Sequence, residues 1–261
     1  DIKKSWLFSH PIAHRGLHGI DVPENSLAAF ARAIDAGFPI ETDVRPIADG
    51  TVVVFHDEKL ARMTDRDGYV CNMTKQDLEE VRLKNSNERI PTFKELLEFV
   101  DGRTPLLIEI KNESAVGQLE RDVLDLLSSY KGEYAVQSFN PYSMEFFKKN
   151  APQIPRGQLS CFFDKKDLGF FKRFVLKRLK MNKVSSPDFV SYNHANLPNK
   201  YVSRTKLPVL AWTVRSNAEM EKCLPHCDNI IFENFIPVIG EKEENITIKT
   251  NKTKTALRLS K

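Results

Sequence analysis

The chain has 261 residues, of which 41% are hydrophobic and 28% charged, an ordinary balance for a globular protein with a sizeable core. Its length suits one β/α barrel better than a single sandwich, and no apolar run approaches the roughly 20 residues of a bilayer-crossing helix. The net charge of +4 is modest, so no nucleic-acid partner is expected, and oligomeric state is left open.

Residues 1–10 read as an N-terminal arm that Trp6 and Phe8 pin to the barrel. They lack an initiating Met and an apolar secretory core, so a segment upstream is expected to have been cut or omitted. The location expected is cytoplasmic or membrane-peripheral, with secretion or an N-terminal anchor left open. Ile12-Ala13-His14 reads as a first strand ending on His14 and Arg15. Asn25 is positioned to cap a helix, and Leu27, Phe30, Ala31 and Ile34 recur at helical spacing until Gly37 stops it. Phe38 to Val44 is the second strand, and Asp49-Gly50 turns the chain into Thr51–Phe55, a hairpin that brings His56 back toward it.

Residues 57–91 interrupt the alternation with polar turns around one short helix, 75–81. About 35 residues are too few to hold a core alone, so this stretch reads as an insertion on the barrel. From Thr92 the pattern resumes. Helices are expected at 92–100, 115–129, 141–150, 165–180, 197–205 (a short turn), 216–224 and 234–240. Strands are expected at 105–111, 134–138, 156–161, 188–192, 207–214 and 229–232. Counting from Ile12 gives eight strands, and this alternation implies an eight-stranded parallel β/α (TIM) barrel spanning 11–240 as a single catalytic domain. Residues 241–261 are polar, basic and expected to be a flexible tail. Cys71, Cys161, Cys223 and Cys227 show no disulfide framework; Cys223-Leu-Pro-His226-Cys227 has the wrong spacing for a zinc knuckle, and buried thiols at a helix end are the plainer reading.

The chemistry is concentrated at strand ends. On a strand, side chains two apart share a face, so Glu41 and Asp43 point into one space, and so do Glu109 and Lys111 on the apolar strand Leu106 to Ile110. Such charges make poor core filling, because buried ions must be paired or bind a counter-ion. In a β/α barrel the strand C-termini form the active site, so His14, Glu41, Asp43, His56, Glu109 and Lys111 can converge. Carboxylates without cysteine select a hard cation, Mg²⁺ or Ca²⁺. Two histidines suit acid and base roles, and Arg15 and Lys111 can hold phosphate oxygens. His10, His18, His194 and His226 are expected to be structural, Glu24 a loop brace, and Asp57 the residue that orients His56.

The series Ala13-His14-Arg15-Gly16, Pro23-Glu24-Asn25-Ser26, Glu41-x-Asp43-Val44, Asp49-Gly50, His56-Asp57, Leu60-x-Arg62-x-Thr64 and Glu109-Ile110-Lys111 resembles the glycerophosphodiester phosphodiesterase family. The resemblance runs from about Pro11 to Pro237. It implies a metal-dependent barrel enzyme that releases glycerol 3-phosphate and an alcohol from a glycerophosphodiester, with Glu41, Asp43 and Glu109 as metal ligands and His14 and His56 as acid and base. It further implies attack by the substrate's 2-hydroxyl and a pocket lined by Phe139 and Trp212. An insertion falls at this same place in the family and shapes substrate entry; here it is short, which implies an open mouth. Three segments depart from the family's pattern: Asn193-His194, Phe232-Glu233-Asn234, and 162–180. The sister reading is a lysophospholipase D on single-chain lipids; a catalytically idle binding barrel is the alternative from another class.

Residues 162–183 interleave aromatic and aliphatic residues with eight Lys or Arg. Phe171, Phe174, Val175 and Leu179 fall on one helical stripe; the plainer expectation is a barrel helix with this stripe on the sheet and its bases in water, and the alternative is that Phe162, Phe163 and Phe170 lean on lipid while the bases meet anionic headgroups.

Overall fold

Short apolar runs separated by helix-forming stretches assemble into a closed parallel barrel in the computed structural model, which describes residues 2–112, 115–165 and 169–238. In chain order the elements are β1 (Ile12–His14), α1 (Leu27–Asp35), β2 (Ile40–Pro46), β3 (Val52–Val54), α2 (Lys75–Glu80), α3 (Phe93–Val100), β4 (Leu106–Ile110), α4 (Gln118–Leu127), β5 (Tyr134–Ser138), α5 (Pro141–Asn150), β6 (Arg156–Ser160), α6 (Phe170–Leu176), α7 (Asn182–Ser185), β7 (Phe189–Asn193), α8 (Lys200–Ser203), β8 (Val209–Val214), α9 (Asn217–Cys223) and β9 (Asn229–Phe232). The strands run in the order β1-β9-β8-β7-β6-β5-β4-β2, and pairing of β1 with β2 closes the circle. The hairpin strand β3 lies outside it, antiparallel on β2.

Two apolar layers hold the barrel. Outward-facing Ile40, Val44, Leu106, Ile108 and Val136 pack against Phe30, Phe93, Leu97, Val123 and Phe147 of the helices. Inside, Ile12, Leu107, Ala135, Phe189, Leu210 and Ile231 fill the barrel, and Leu7 of the arm is fully buried among them. The arm is thus plugged in by Leu7, with Trp6 and Phe8 half-buried around it. Asn229 fixes its backbone by donating to the carbonyls of Leu7 and His10. This layer closes one end and leaves the strand C-termini to polar residues.

The insertion carries a small apolar cluster of its own, Leu60, Val70, Met73, Leu78, Val81, Leu83 and Ile90, but completes it with Ile47, Val53 and Phe55 of the hairpin. Its helix starts on a reciprocal cap, Thr74 accepting from the Asp77 amide and the Asp77 carboxylate accepting from the Thr74 amide.

Several boundaries differ from the sequence reading. Ser26, not Asn25, caps α1, its hydroxyl accepting from the Ala29 amide. Of the helix expected over 165–180, the described residues form only α6, because Leu179 adopts a left-handed backbone (φ 55°) that α-helix cannot continue through; α7 begins beyond the expected span. The final helix expected at 234–240 is irregular chain through Val238; residues 239–261, including the expected tail, lie outside the described residues. No helix among the described residues is long and apolar enough to cross a membrane.

Candidate active site

Strand register brings the charged residues together. On β2, Glu41 stands beside His14 of β1 and Leu107 of β4, while Asp43 stands beside Glu109, which in turn neighbours Gln137 of β5. One carboxylate oxygen from each of Glu41, Asp43 and Glu109 lies within 4.8 Å of the other two, and all three side chains are buried. The Lys111 ammonium sits 2.6 Å from Glu109 Oε1 and 3.2 Å from Asp43 Oδ1. Arg15 reaches Asp43 Oδ2 through Nε at 3.2 Å and Glu24 through Nη1 at 2.7 Å. Asn25, held in a left-handed backbone at φ 57°, donates to Asp43 Oδ2 at 2.9 Å and accepts from the Thr42 hydroxyl. Its place is therefore beneath the carboxylates.

Three buried acids facing two bases leave one negative charge without a partner. The strain falls on Glu41, whose pKa burial pushes well up, with Asp43 and Glu109 repelling its charge. Glu109 is raised for the same first reason. Asp43 goes the other way: burial opposes its charge, but Lys111, His56, Arg15 and His14 outweigh it and hold it well below the usual carboxylate range. Lys111 stays firmly protonated, since Glu109 and Asp43 outweigh its own desolvation. Buried Asp43 Oδ1 and Glu109 Oε1 lack a well-directed hydrogen bond, although the Lys111 charge is close. An all-oxygen, electron-rich pocket with spare lone pairs fits a divalent cation.

Each histidine is held at Nδ1 by a carboxylate. His14 Nδ1 lies 2.5 Å from Glu233 Oε2, and its Nε2 faces Glu41 at 3.8 Å. Glu233 is kept ionised: its own burial is outweighed by His14, His18 and Arg215, whose Nε approaches Oε1 at 2.6 Å. An ionised carboxylate only accepts, so the proton of neutral His14 sits on Nδ1 and the Nε2 lone pair faces the carboxylates. Burial lowers the His14 pKa to about 4 despite the Glu233 bond, which leaves the ring neutral at pH 7. His56 Nδ1 lies 2.5 Å from Asp57 Oδ1. Arg62 joins Asp57 to Glu24, and Glu24 joins Arg15, so one chain of ion pairs connects both halves of the site. His56 is close enough to favour the charge on Asp43 and to oppose, without overcoming, the rise at Glu109.

The structure thus brings His14, Arg15, Glu41, Asp43, Glu109 and Lys111 together, with His56 beside them and Asp57 bonded to its ring. Phe139 and Trp212 also meet, edge to face at 5.6 Å, with Phe163 against Phe139 at 5.8 Å. Sequence reasoning missed Glu233, His18 and Asn25. Glu233 was visible as a departure from the family's ending, but nothing local showed that β9 delivers it to His14. His18 Nε2 stands 3.4 Å from Glu233 Oε2. His14, His18 and Glu233 make a second group of candidate metal ligands. The 2.5 Å separation of His14 Nδ1 and Glu233 Oε2 favours a hydrogen bond instead, since ligands about 2.0–2.2 Å from an ion stand farther apart. His194 pairs loosely with Glu219 outside the site. Cys223 is buried and Cys227 half-buried, both free thiols bonded to backbone carbonyls at the end of α9.

Residues 14–235 match the Glycerophosphoryl diester phosphodiesterase family. The chain is 30% identical over 250 residues to YhdW of Bacillus subtilis, which is named provisionally as a glycerophosphodiester phosphodiesterase, covering 90% of this chain and 99% of that protein. It is 36% identical over 160 residues to the glycerophosphodiester phosphodiesterase of Caldanaerobacter subterraneus, covering 57% of this chain and 65% of that one. Among solved structures, an Oleispira antarctica phosphodiesterase in complex with the product sn-glycerol-3-phosphate superposes with a TM-score of 0.74 at 23% identity, over 87% of this chain and 93% of that one. The glycerophosphodiester phosphodiesterase of Thermotoga maritima gives a TM-score of 0.66 at 26% identity, over 85% and 94%. The chain belongs to the glycerophosphoryl diester phosphodiesterase family and is a glycerophosphodiester phosphodiesterase.

Proposed function

We propose that this enzyme hydrolyses glycerophosphodiesters to glycerol 3-phosphate and an alcohol by paired histidine catalysis beside one Mg²⁺ or Ca²⁺ held by Glu41, Asp43 and Glu109. The observation that carries the reading is the charge of the five central residues. Three acids, Arg15 and Lys111 come to neutrality when a divalent cation and a singly charged diester are added together, so each guest favours the other. The bound cation supplies Lewis-acid polarisation of the phosphoryl oxygen.

The residues of the chain do the rest. His14, neutral and turned by Glu233, accepts the proton of the glycerol 2-hydroxyl at Nε2 as that oxygen attacks phosphorus. His56, held at Nδ1 by Asp57, gives a proton to the departing alkoxide, so the leaving alcohol is neutral. Arg15 and Lys111 hold the non-bridging oxygens, the first through its guanidinium fork, the second as a point charge. Water then opens the cyclic phosphate with the two proton transfers reversed, restoring both rings. Phe139, Trp212 and Phe163 form an aromatic wall for the alcohol end of the substrate.

A diester of 1,3-propanediol phosphate, which lacks the 2-hydroxyl, tests the first step. It is expected to bind but not to turn over, and to act as a competitive inhibitor. Turnover at the rate of the glycerol diester points to direct attack by water and removes the cyclic step. A second reading, lysophospholipase D action on single-chain lipids, is favoured by Phe170 and Phe171, both 76% exposed.

A further inference from the structure

We infer that α6, with Phe162 and the bases on the described residues around it, forms a docking surface for a lipid bilayer bearing anionic headgroups. α6 has no buried residue, although it follows a barrel strand. Phe171, expected to face the sheet, is 76% exposed, and so is its neighbour Phe170, while Phe162 is 41% exposed. Adjacent exposed phenylalanines on a short helix leave the aqueous surface with apolar area that no element among the described residues covers.

What surrounds this area identifies the occupant. Lys165, Lys172, Arg173, Lys177, Arg178, Lys180 and Lys183 stand in the segment, and among its described residues Asp164 is the one acid. None of these bases has a carboxylate of another described residue within ion-pair distance, unlike Arg62, Arg66 and Arg89 elsewhere on the surface. Their partners are rings: Lys177 lies 5.8 Å from the Phe162 centroid, and Arg178 and Lys180 lie 3.6 and 4.9 Å from that of Phe174. Apolar rings exposed among unpaired cations match the interface of an anionic membrane, where rings enter the acyl boundary and bases meet phosphates.

The surface is also joined to the mouth. Phe163 turns inward onto Phe139, and the Ser160 hydroxyl at the end of β6 donates to the Leu176 carbonyl at the end of α6. Docking through Phe170 and Phe171 therefore sets the mouth close to the headgroup layer. The docking inference is independent of the catalytic reading; its consequence, a preference for single-chain phospholipids over soluble diesters, rests on that reading.

Sedimentation of the full chain with vesicles of phosphatidylcholine, with and without phosphatidylglycerol, at low and high salt, tests the surface. Binding is expected with phosphatidylglycerol at low salt, weakened by high salt, and lowered about tenfold or more in a Phe170→Ser/Phe171→Ser variant. A Lys172→Gln/Arg173→Gln variant is expected to lose binding too. Both variants should cleave a soluble diester at the wild-type rate, which shows them folded. Equal binding by the phenylalanine variant overturns the proposal in favour of bases elsewhere. So do equal binding to neutral vesicles, no binding at all, or phenylalanine-dependent self-association without lipid, which marks a second copy as the occupant. Phenylalanine-dependent binding by a chain inactive on every diester keeps the surface and sinks the catalytic reading instead.

Discussion

His14→Ala is expected to lower kcat by roughly 10² to 10⁴, with KM changed far less, because the ring acts on protons in flight and not on the resting substrate. The loss should equal that of His56→Ala in order of magnitude. Neither substitution empties the hydrophobic core: the two side chains are 12% and 32% exposed at the polar end of the barrel. Glu233→Ala separates orientation from chemistry. It frees His14 to turn or to exchange its proton between ring nitrogens, and leaves Arg215 without its 2.6 Å partner. A smaller kcat loss than His14→Ala is expected, partly recovered by Glu233→Gln, whose amide oxygen can still accept from Nδ1. Wild-type kcat in His14→Ala or His56→Ala removes that residue from the mechanism.

Glu41→Gln should divide stability from activity. The Glu41 pKa is raised, so the native protein retains a proton that the unfolded chain releases. Stability therefore falls as pH rises from the ordinary carboxylate value through the raised one. Glutamine removes this dependence together with the repulsion from Asp43 and Glu109. In the presence of chelator, the melting temperature of Glu41→Gln at neutral pH is expected to equal or exceed that of wild type. With Mg²⁺ or Ca²⁺ the order reverses, since the cation stabilises only a protein that binds it. Turnover should drop by roughly 10² or more, in line with the loss of an interaction realised at the reacting phosphate. A variant less stable than wild type under chelation, with an unchanged cation response, contradicts the assignment of Glu41 as a ligand.

Much of this site is legible in the chain because strand geometry is local. Two residues apart on β2 means one face, and this is enough to pair Glu41 with Asp43 before any fold is known. The apolar runs and their spacing likewise mark all eight barrel strands. What escapes is set by distant register or by backbone strain. Glu233 reaches His14 only because β9 closes against β1, 219 positions away in sequence. Asn25 resembles a helix cap by type and position, yet its left-handed backbone turns it to Asp43 and hands the cap to Ser26. The break of the helix at Leu179 has a similar cause, a single residue conformation that side-chain periodicity does not encode.

Release of glycerol 3-phosphate from glycerophosphocholine by the purified full chain, before and after chelation and then on adding back Mg²⁺ or Ca²⁺, tests the central claim most directly. The expected result is complete loss of turnover in excess chelator and its return with either or both cations, because Glu41, Asp43 and Glu109 offer only oxygen and stand one charge short of balance. Full turnover in excess chelator would contradict the account.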